Sequence, residues 1–348
     1  MSTVDIRVPA TSANLGPGFD SLGLALSLYD EVRATLTGER GIHVTIEGEG
    51  AGAGELDLGE GHLIIKAMRR TFDRMGVTQP EGIRLHCHNR IPHARGLGSS
   101  SAAVCAGILA ARALATAGQR TETHTESRTK TDSRTESASS TSGPRSEASG
   151  GEPLAGGFAD GVGLSDDEVF ALATEMEGHP DNVAPCLAGG LTIAWTDHSG
   201  SPRMVKLLPD VRIRPVVFVP ATRLATETAR GLLPKDVPHK DASFNAARAA
   251  LLIAALTQRP ERGLLLAATE DRLHQDYRAP AMRASADLVE RLRAVGVPAV
   301  VSGAGPTVLA FSTSDSQDLI APEVGNDWHI QLMDVDPVGA NVQFPETR

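Results

Sequence analysis

The sequence predicts an α+β chain of two modest domains. Three observations carry that prediction: strand-like stretches in which apolar and polar residues alternate, helix-like stretches lying between them, and a length of 348 residues, more than one hydrophobic core commonly serves. Apolar residues make up 41% and charged residues 22%, the balance of a globular chain with a buried core.

The elements follow in order. Val4, Ile6 and Val8 alternate with polar residues and predict a strand ending at Pro9, after which "ATSANLGPGFDSLGLAL" reads as a loop rich in turn formers. Strands are expected over residues 31–36, 42–47, 83–91, 191–195 and 212–219, and helices over 63–75, 99–117, 166–176 and 244–257. The helix from 166 is announced by Ser165 as its cap, with Asp166, Asp167 and Glu168 in its first turn facing the helix dipole. Residues 119–150, "QRTETHTESRTKTDSRTESASSTSGPRSEASG", hold no Val, Ile, Leu, Met, Cys or aromatic side chain, so they lack the apolar surface that would offset ordering. A disordered insertion in a surface connection is expected there, a regulatory tether being the other reading.

Composition also excludes function classes. A formal charge of −10 and a pI near 5.6 argue against a broad nucleic-acid surface or a basic membrane patch, leaving room only for a local anion site. Cys87, Cys105 and Cys186 are odd in number and form no Cys-x-x-Cys pair, which speaks against a disulfide framework or a structural zinc site and for a reducing cytosol. "MSTVDIRVPA" has no apolar signal core, and "NAARAALLIAAL" is interrupted by Arg248, so neither a leader nor a membrane span is expected.

The stretch with the most chemical content is "PHARGLGSSSAA". Gly96 and Gly98 let a backbone come close to a ligand, and Ser99, Ser100 and Ser101 stand where a helix leaves its first amides unpaired, a ready site for phosphate. A capped, tightly packed Ala helix has the same local look, and the loop by itself leaves both readings open. The chain has no G-x-x-x-x-G-K-[ST], no G-x-G-x-x-G followed by an acidic residue, and no G-x-S-x-G elbow, so the common nucleotide loops and the serine hydrolases do not account for it.

"PHARGLGSSSAA" resembles the central phosphate-binding motif of the GHMP kinases, the family of galacto-, homoserine, mevalonate and phosphomevalonate kinases. "VPATSANLGPGFDSLGLAL" resembles the first motif of that family in its homoserine kinase form, "VSGAGPTVLAF" the glycine-rich third motif, and "EGHPDNVAPCLAGG" the homoserine kinase version of the metal and acceptor segment. The resemblance implies an N-terminal ribosomal-protein-S5-like domain over 1–207 that binds ATP, and a C-terminal ferredoxin-like domain over 208–348. It implies ATP and Mg2+, and phosphorylation of the side-chain hydroxyl of L-homoserine in threonine synthesis, in the cytoplasm, by a homodimer without nucleic-acid or membrane partners.

Residue by residue, the resemblance assigns Pro92, His93, Ala94, Arg95, Gly96, Leu97, Gly98, Ser99, Ser100, Ser101 and Ala102 to the nucleotide. His62 of "GHLIIKAM" stands where the family often has the Asn that meets adenine, and its ring can stack on or bond to the base. Ser100 and Glu177 are implied as metal ligands, with Ser99 and Glu175 as the neighbouring choices. Asn14, Asp20, His179, Asp181 and Thr226 are implied to hold homoserine, and Arg230 and Arg278 its α-carboxylate, which guanidinium forks suit. Many relatives carry an aspartate where this chain has Asn182, and an amide cannot take the acceptor proton as such a carboxylate could. Asn182 is therefore expected to align the reactants, with the proton leaving late, one acceptor being the phosphate itself. A mevalonate-type kinase, and a silent family member that binds a ligand, are the alternatives. Arg230, Arg278 and Asn182 argue against the first, and the complete set of loop, glutamate and acceptor residues against the second.

Overall fold

A computed structural model describes residues 2–52, 54, 56–127, 163–313, 317–320 and 323–345. The first part of the chain forms β1 (Ser2–Ala13), β2 (Leu22–Thr37), β3 (Gly41–Gly48), α1 (Leu63–Met75), β4 (Gly82–Asn89), α2 (Ser99–Ser127), α3 (Asp166–Glu177), α4 (Val183–Ala188), β5 (Leu191–Thr196) and β6 (Pro202–Leu207). The rest forms β7 (Arg214–Pro220), α5 (Thr226–Gly231), α6 (His239–Thr257), α7 (Arg262–Ala268), α8 (Gln275–Arg278), α9 (Arg283–Ala294), β8 (Ala299–Val301), β9 (Val308–Ser312), α10 (Gln317–Ile320), β10 (Trp328–Leu332) and β11 (Asn341–Gln343). One sheet runs in the order β11-β1-β2-β4-β3, with β5 pairing β2 and β6 pairing β5, and a second runs β10-β7-β9-β8. Among the described residues only the β3–β4 pair is parallel. The α+β class read from the sequence holds, and the first sheet takes its edge strand β11 from the far end of the chain.

β1 does not stop at Pro9. A register shift between Pro9 and Ala10 absorbs the missing N–H, and pairing resumes with Ala10 opposite Leu26, so the "GLAL" expected in a loop belongs to β2. α2 likewise runs past its expected end at 117 to Ser127, overlapping the start of the Ser/Thr-rich segment expected to be disordered; the remainder of that segment, 128–150, lies outside the described residues. α6 begins at His239, ahead of the expected 244, and α3 carries the foreseen cap, with Ser165 and Glu168 bonded reciprocally.

α1, α2 and α3 cover one face of the first sheet, burying Met68 and Phe72, Val104 and Ile108, and Phe170 and Leu172 against Ile6, Leu24 and Leu85. Residues 99–117 of α2 are apolar and long enough to cross a membrane, yet 72% of that stretch is buried inside the protein. Its Arg112 is buried too and pairs with Asp166 at 2.7 Å, the arrangement of a core helix. α2 thereby aims its N-terminus, with the loop before it, at the level where β1 ends and β2 begins.

Candidate active site

The loop joining β1 to β2 is held in a costly shape. Asn14, Leu15 and Asp20 have φ of 67°, 51° and 54°, a region that costs a non-glycine residue ~1 kcal/mol or more unless its surroundings fix it. The Asn14 side chain does the fixing: its Oδ1 accepts from the Asp20 amide and its Nδ2 donates to the Gly303 carbonyl, each at 2.9 Å. Asn14, expected to hold homoserine, is thus committed to backbone and joins the first motif to the third. Asp20 faces Arg230 in a bidentate pair at 2.7 and 3.1 Å, both side chains about one-third exposed. Arg278 lies beneath, 1% exposed, its guanidinium 5.3 Å from the Phe19 ring centroid. Burial, and then the charge of Arg230, holds its pKa below the ordinary arginine value. Its Nη1 donates to the Gly303 carbonyl, and its Nε has no partner among the described residues. Arg230 is therefore the arginine presented to solvent, and Arg278 the one under it. Thr226 begins α5, one turn ahead of Arg230, and is exposed.

The glycine and serine loop is built from both ends of the chain. Ser302 Oγ donates to the Gly96 carbonyl at 2.6 Å and lies 2.8 Å from Ser12 Oγ, while the Thr11 amide donates to the Leu97 carbonyl and the Thr307 amide to the Arg95 carbonyl. Gly98 has φ of 73°, and a Cβ there would lie 2.0 Å from Thr11 Oγ1, so only glycine closes the loop onto β1. The first helical bond of α2 runs from the Ala102 amide to the Gly98 carbonyl, which leaves the amides of Ser99, Ser100 and Ser101 without helical partners. Leu97 is core, and Arg95 is spent on structure: it donates to Glu49 at 2.9 Å and to the carbonyls of Pro220 and Ala221. Pro92 and Ala94 shape the approach, Ala94 at φ 52° and accepting from the Leu224 amide.

Beside this loop opens a cleft of about 300 Å³, lined among others by Asp30, Leu56, His62, His93, Ser99 and Ser100. His62 is buried there with Nδ1 unpartnered among the described residues, and burial holds its pKa below the usual imidazole value. A neutral ring with a free nitrogen suits a purine edge. Asp30 was not foreseen in the site, because its place in β2 reads as ordinary strand alternation. Burial pushes its carboxyl up to about 6, against the pull of the Ile91 and Arg90 amides that it accepts at 2.9 and 2.6 Å.

Glu177 and Glu175 part company. Glu175 is exposed and paired with Arg70 and Arg74 at 2.6 and 3.1 Å, a helix-surface charge. Glu177 is largely buried, accepts from Ser100 Oγ at 2.9 Å, and has its pKa raised by burial, with the Ser100 bond and His179 opposing. His179 Nδ1 lies 2.6 Å from Asp181 and its Nε2 4.0 Å from Glu177. Burial works against its charge, but Asp181 and then Glu177 outweigh that and raise its pKa. Asn182, the next residue, accepts from Thr11 Oγ1 at 2.9 Å. Ser101, Ser100, Glu177, His179, Asp181 and Asn182 are thereby gathered between the α2 N-terminus and the start of α4. Thr11 lies within the quoted first motif, but nothing in the sequence singled it out, because its partner is 171 residues away.

The family model for the GHMP kinases N terminal domain matches residues 62–143, and that for the GHMP kinases C terminal matches residues 252–330. The chain is 50% identical over 341 residues to the homoserine kinase of Streptomyces coelicolor, covering 98% of this chain and 94% of that one. It is 46% identical over 345 residues to the homoserine kinase of Clavibacter michiganensis, covering 98% and 94%. A crystal structure of homoserine kinase from Cytophaga hutchinsonii superposes with a TM-score of 0.73 at 22% identity, over 99% of this chain and 98% of that one, a likeness of fold.

Proposed function

The chain belongs to the GHMP kinase family, and from that membership and the residues around the cleft we propose that it transfers the γ-phosphoryl group of ATP to the side-chain hydroxyl of L-homoserine, a step of threonine synthesis. The observation that carries this reading is the Asp20–Arg230 pair at the mouth of the site. A free amino acid brings an ammonium and a carboxylate, and here one receptor of each sign stands ready at salt-bridge distance. The zwitterion exchanges with the pair: its carboxylate takes the Arg230 fork, its ammonium takes Asp20, and Arg278 below adds positive potential. The hydroxyl end then extends toward His179, Asp181 and Asn182.

ATP is read into the cleft with its base against His62 and its phosphates on the free amides at the head of α2. Phosphoryl transfer needs positioning and charge stabilisation more than covalent help. A hydroxyl and a buried carboxylate are hard oxygen donors, and with 2.9 Å between them Ser100 and Glu177 would fit a Mg2+ that takes its remaining ligands from phosphate. When bound, that ion spreads charge over the β and γ phosphates. The chain's own part is to line up the acceptor: His179, its pKa raised by Asp181, stands beside the reacting groups, and Asn182 orients the hydroxyl without taking its proton. The three free, buried cysteines fit a cytoplasmic setting, and a homodimer remains the assembly implied by the resemblance, which sedimentation can test.

A coupled ADP-release assay over a panel of hydroxyl acceptors tests the function. L-Homoserine should be turned over, and its analogues lacking the amino or the carboxylate group should not. Equal rates with the des-amino analogue would remove the Asp20–Arg230 argument.

A further inference from the structure

Thr11 is buried at the end of β1, its amide bonded to the Leu97 carbonyl and its hydroxyl 2.9 Å from Asn182 Oδ1. Among the described residues that amide oxygen is the only hydrogen-bonding partner of the Thr11 hydroxyl, while Asn182 Nδ2 makes no hydrogen bond to protein. Gly98 closes over the contact, its absent Cβ falling 2.0 Å from Thr11 Oγ1 and 3.2 Å from Asn182 Oδ1. The pair thus sits directly under the loop read here as the phosphate cradle.

We infer that Thr11 is a positioning residue that sets which end of the Asn182 amide meets the reacting oxygens. The two ends of an amide differ completely in hydrogen bonding, one accepting and the other donating twice. With Oδ1 tied to the Thr11 hydroxyl, Nδ2 is turned away from β1 and offers two N–H donors to the acceptor oxygen and the phosphoryl group approaching it. A donor there stabilises charge as it develops and leaves the hydroxyl proton to depart elsewhere, whereas the flipped amide would offer a lone pair and misorient the hydroxyl. The inference rests on the placement of Asn182 in the acceptor site, and it adds the residue that fixes the amide's hand.

The test compares Thr11→Val, which keeps the shape and removes the donor, with Thr11→Ser, which restores it. Thr11→Val should lower kcat about tenfold, the effect of losing one hydrogen bond and leaving its partner unpaired, with the KM values for ATP and homoserine within about twofold of the parent. Thr11→Ser should recover kcat to within about threefold. In an Asn182→Ala background, Thr11→Val should cost little more, because the amide it orients is gone. Should Thr11→Val fail to give a folded melting transition, Thr11→Ala takes its place in the same cycle. A parental kcat in Thr11→Val, a serine variant no better than the valine, or full additivity with Asn182→Ala overturns the inference. A parental kcat in Asn182→Ala overturns the underlying placement as well, whereas a large loss there beside a parental Thr11→Val sinks the inference alone.

Discussion

Exchanging Glu177 for Gln separates a ligand-binding carboxylate from a structural one, because the structure predicts opposite signs for activity and stability. Gln keeps the size of the side chain and an oxygen to accept from Ser100 Oγ, so the contact at 2.9 Å survives. What disappears is a negative charge in the site proposed to hold a cation and polyphosphate. An anionic donor of this kind is worth ~3–4 kcal/mol of transition-state charge stabilisation, which corresponds to roughly 10²–10³ in kcat. Stability moves the other way. A carboxyl whose folded pKa is raised contributes stability that is complete below its unfolded pKa and is lost as pH rises through the folded value, so at pH 7 the charged form weakens the fold. Glu177→Gln should melt at the same or a higher temperature at neutral pH, and the advantage should vanish in acid. Glu175→Gln provides the contrast: two exposed ion pairs, with Arg70 and Arg74, are worth ~0.2–1 kcal/mol each and touch nothing in the cleft, so turnover should stay at the parental level. Steady-state rates across a magnesium titration read the first effect, which should move saturation to higher magnesium, and melting curves read the second. A parental magnesium dependence in Glu177→Gln, or a larger loss in Glu175→Gln, refutes the assignment.

Gly98→Ala forces a side chain into φ 73° with its Cβ 2.0 Å from Thr11 Oγ1, and should cost about 2–4 kcal/mol in urea unfolding together with a raised KM for ATP; an unchanged midpoint counts against the loop geometry. Asp30→Asn keeps an oxygen for the Arg90 and Ile91 amides and removes a carboxyl pushed from 3.8 to about 6, so near pH 7 the variant should be more stable by up to ~3 kcal/mol, the gain fading as pH falls through 6 and gone near pH 4. Stability profiles that run parallel from pH 4 to 7 would show that this burial is not felt. Arg230→Leu should lower kcat/KM for homoserine about tenfold to a hundredfold while the KM for ATP barely changes; homoserine parameters equal to the parent's would take Arg230 out of the acceptor site.

How much of this was legible in the sequence depends on how far each feature reaches. α1, α3 and the paired β-strands before them showed in the sequence because each buries one face and wets the other, which writes a period into the residues. β8 (AVV) and β9 (VLAFS) are buried throughout and apolar but for Ser312, and so they carried no period to read. β1 was cut short at Pro9 because a proline ends a strand by local rules, whereas the bulge that rescues it depends on β2. The site divides along the same line. The glycines, the serines and Glu177 announce themselves by kind and spacing, but their roles come from partners far away in the chain: Asp20 meets Arg230 across 210 residues, Ser302 meets Gly96 across 206, and Thr11 meets Asn182 across 171. Those bonds fix which arginine is presented to solvent, how the glycine and serine loop is bent and which end of the Asn182 amide is tied to β1. A local pattern can place such residues near phosphate chemistry, while the direction in which each one points is a property of the folded chain, set by long-range contacts that no window of neighbouring residues contains.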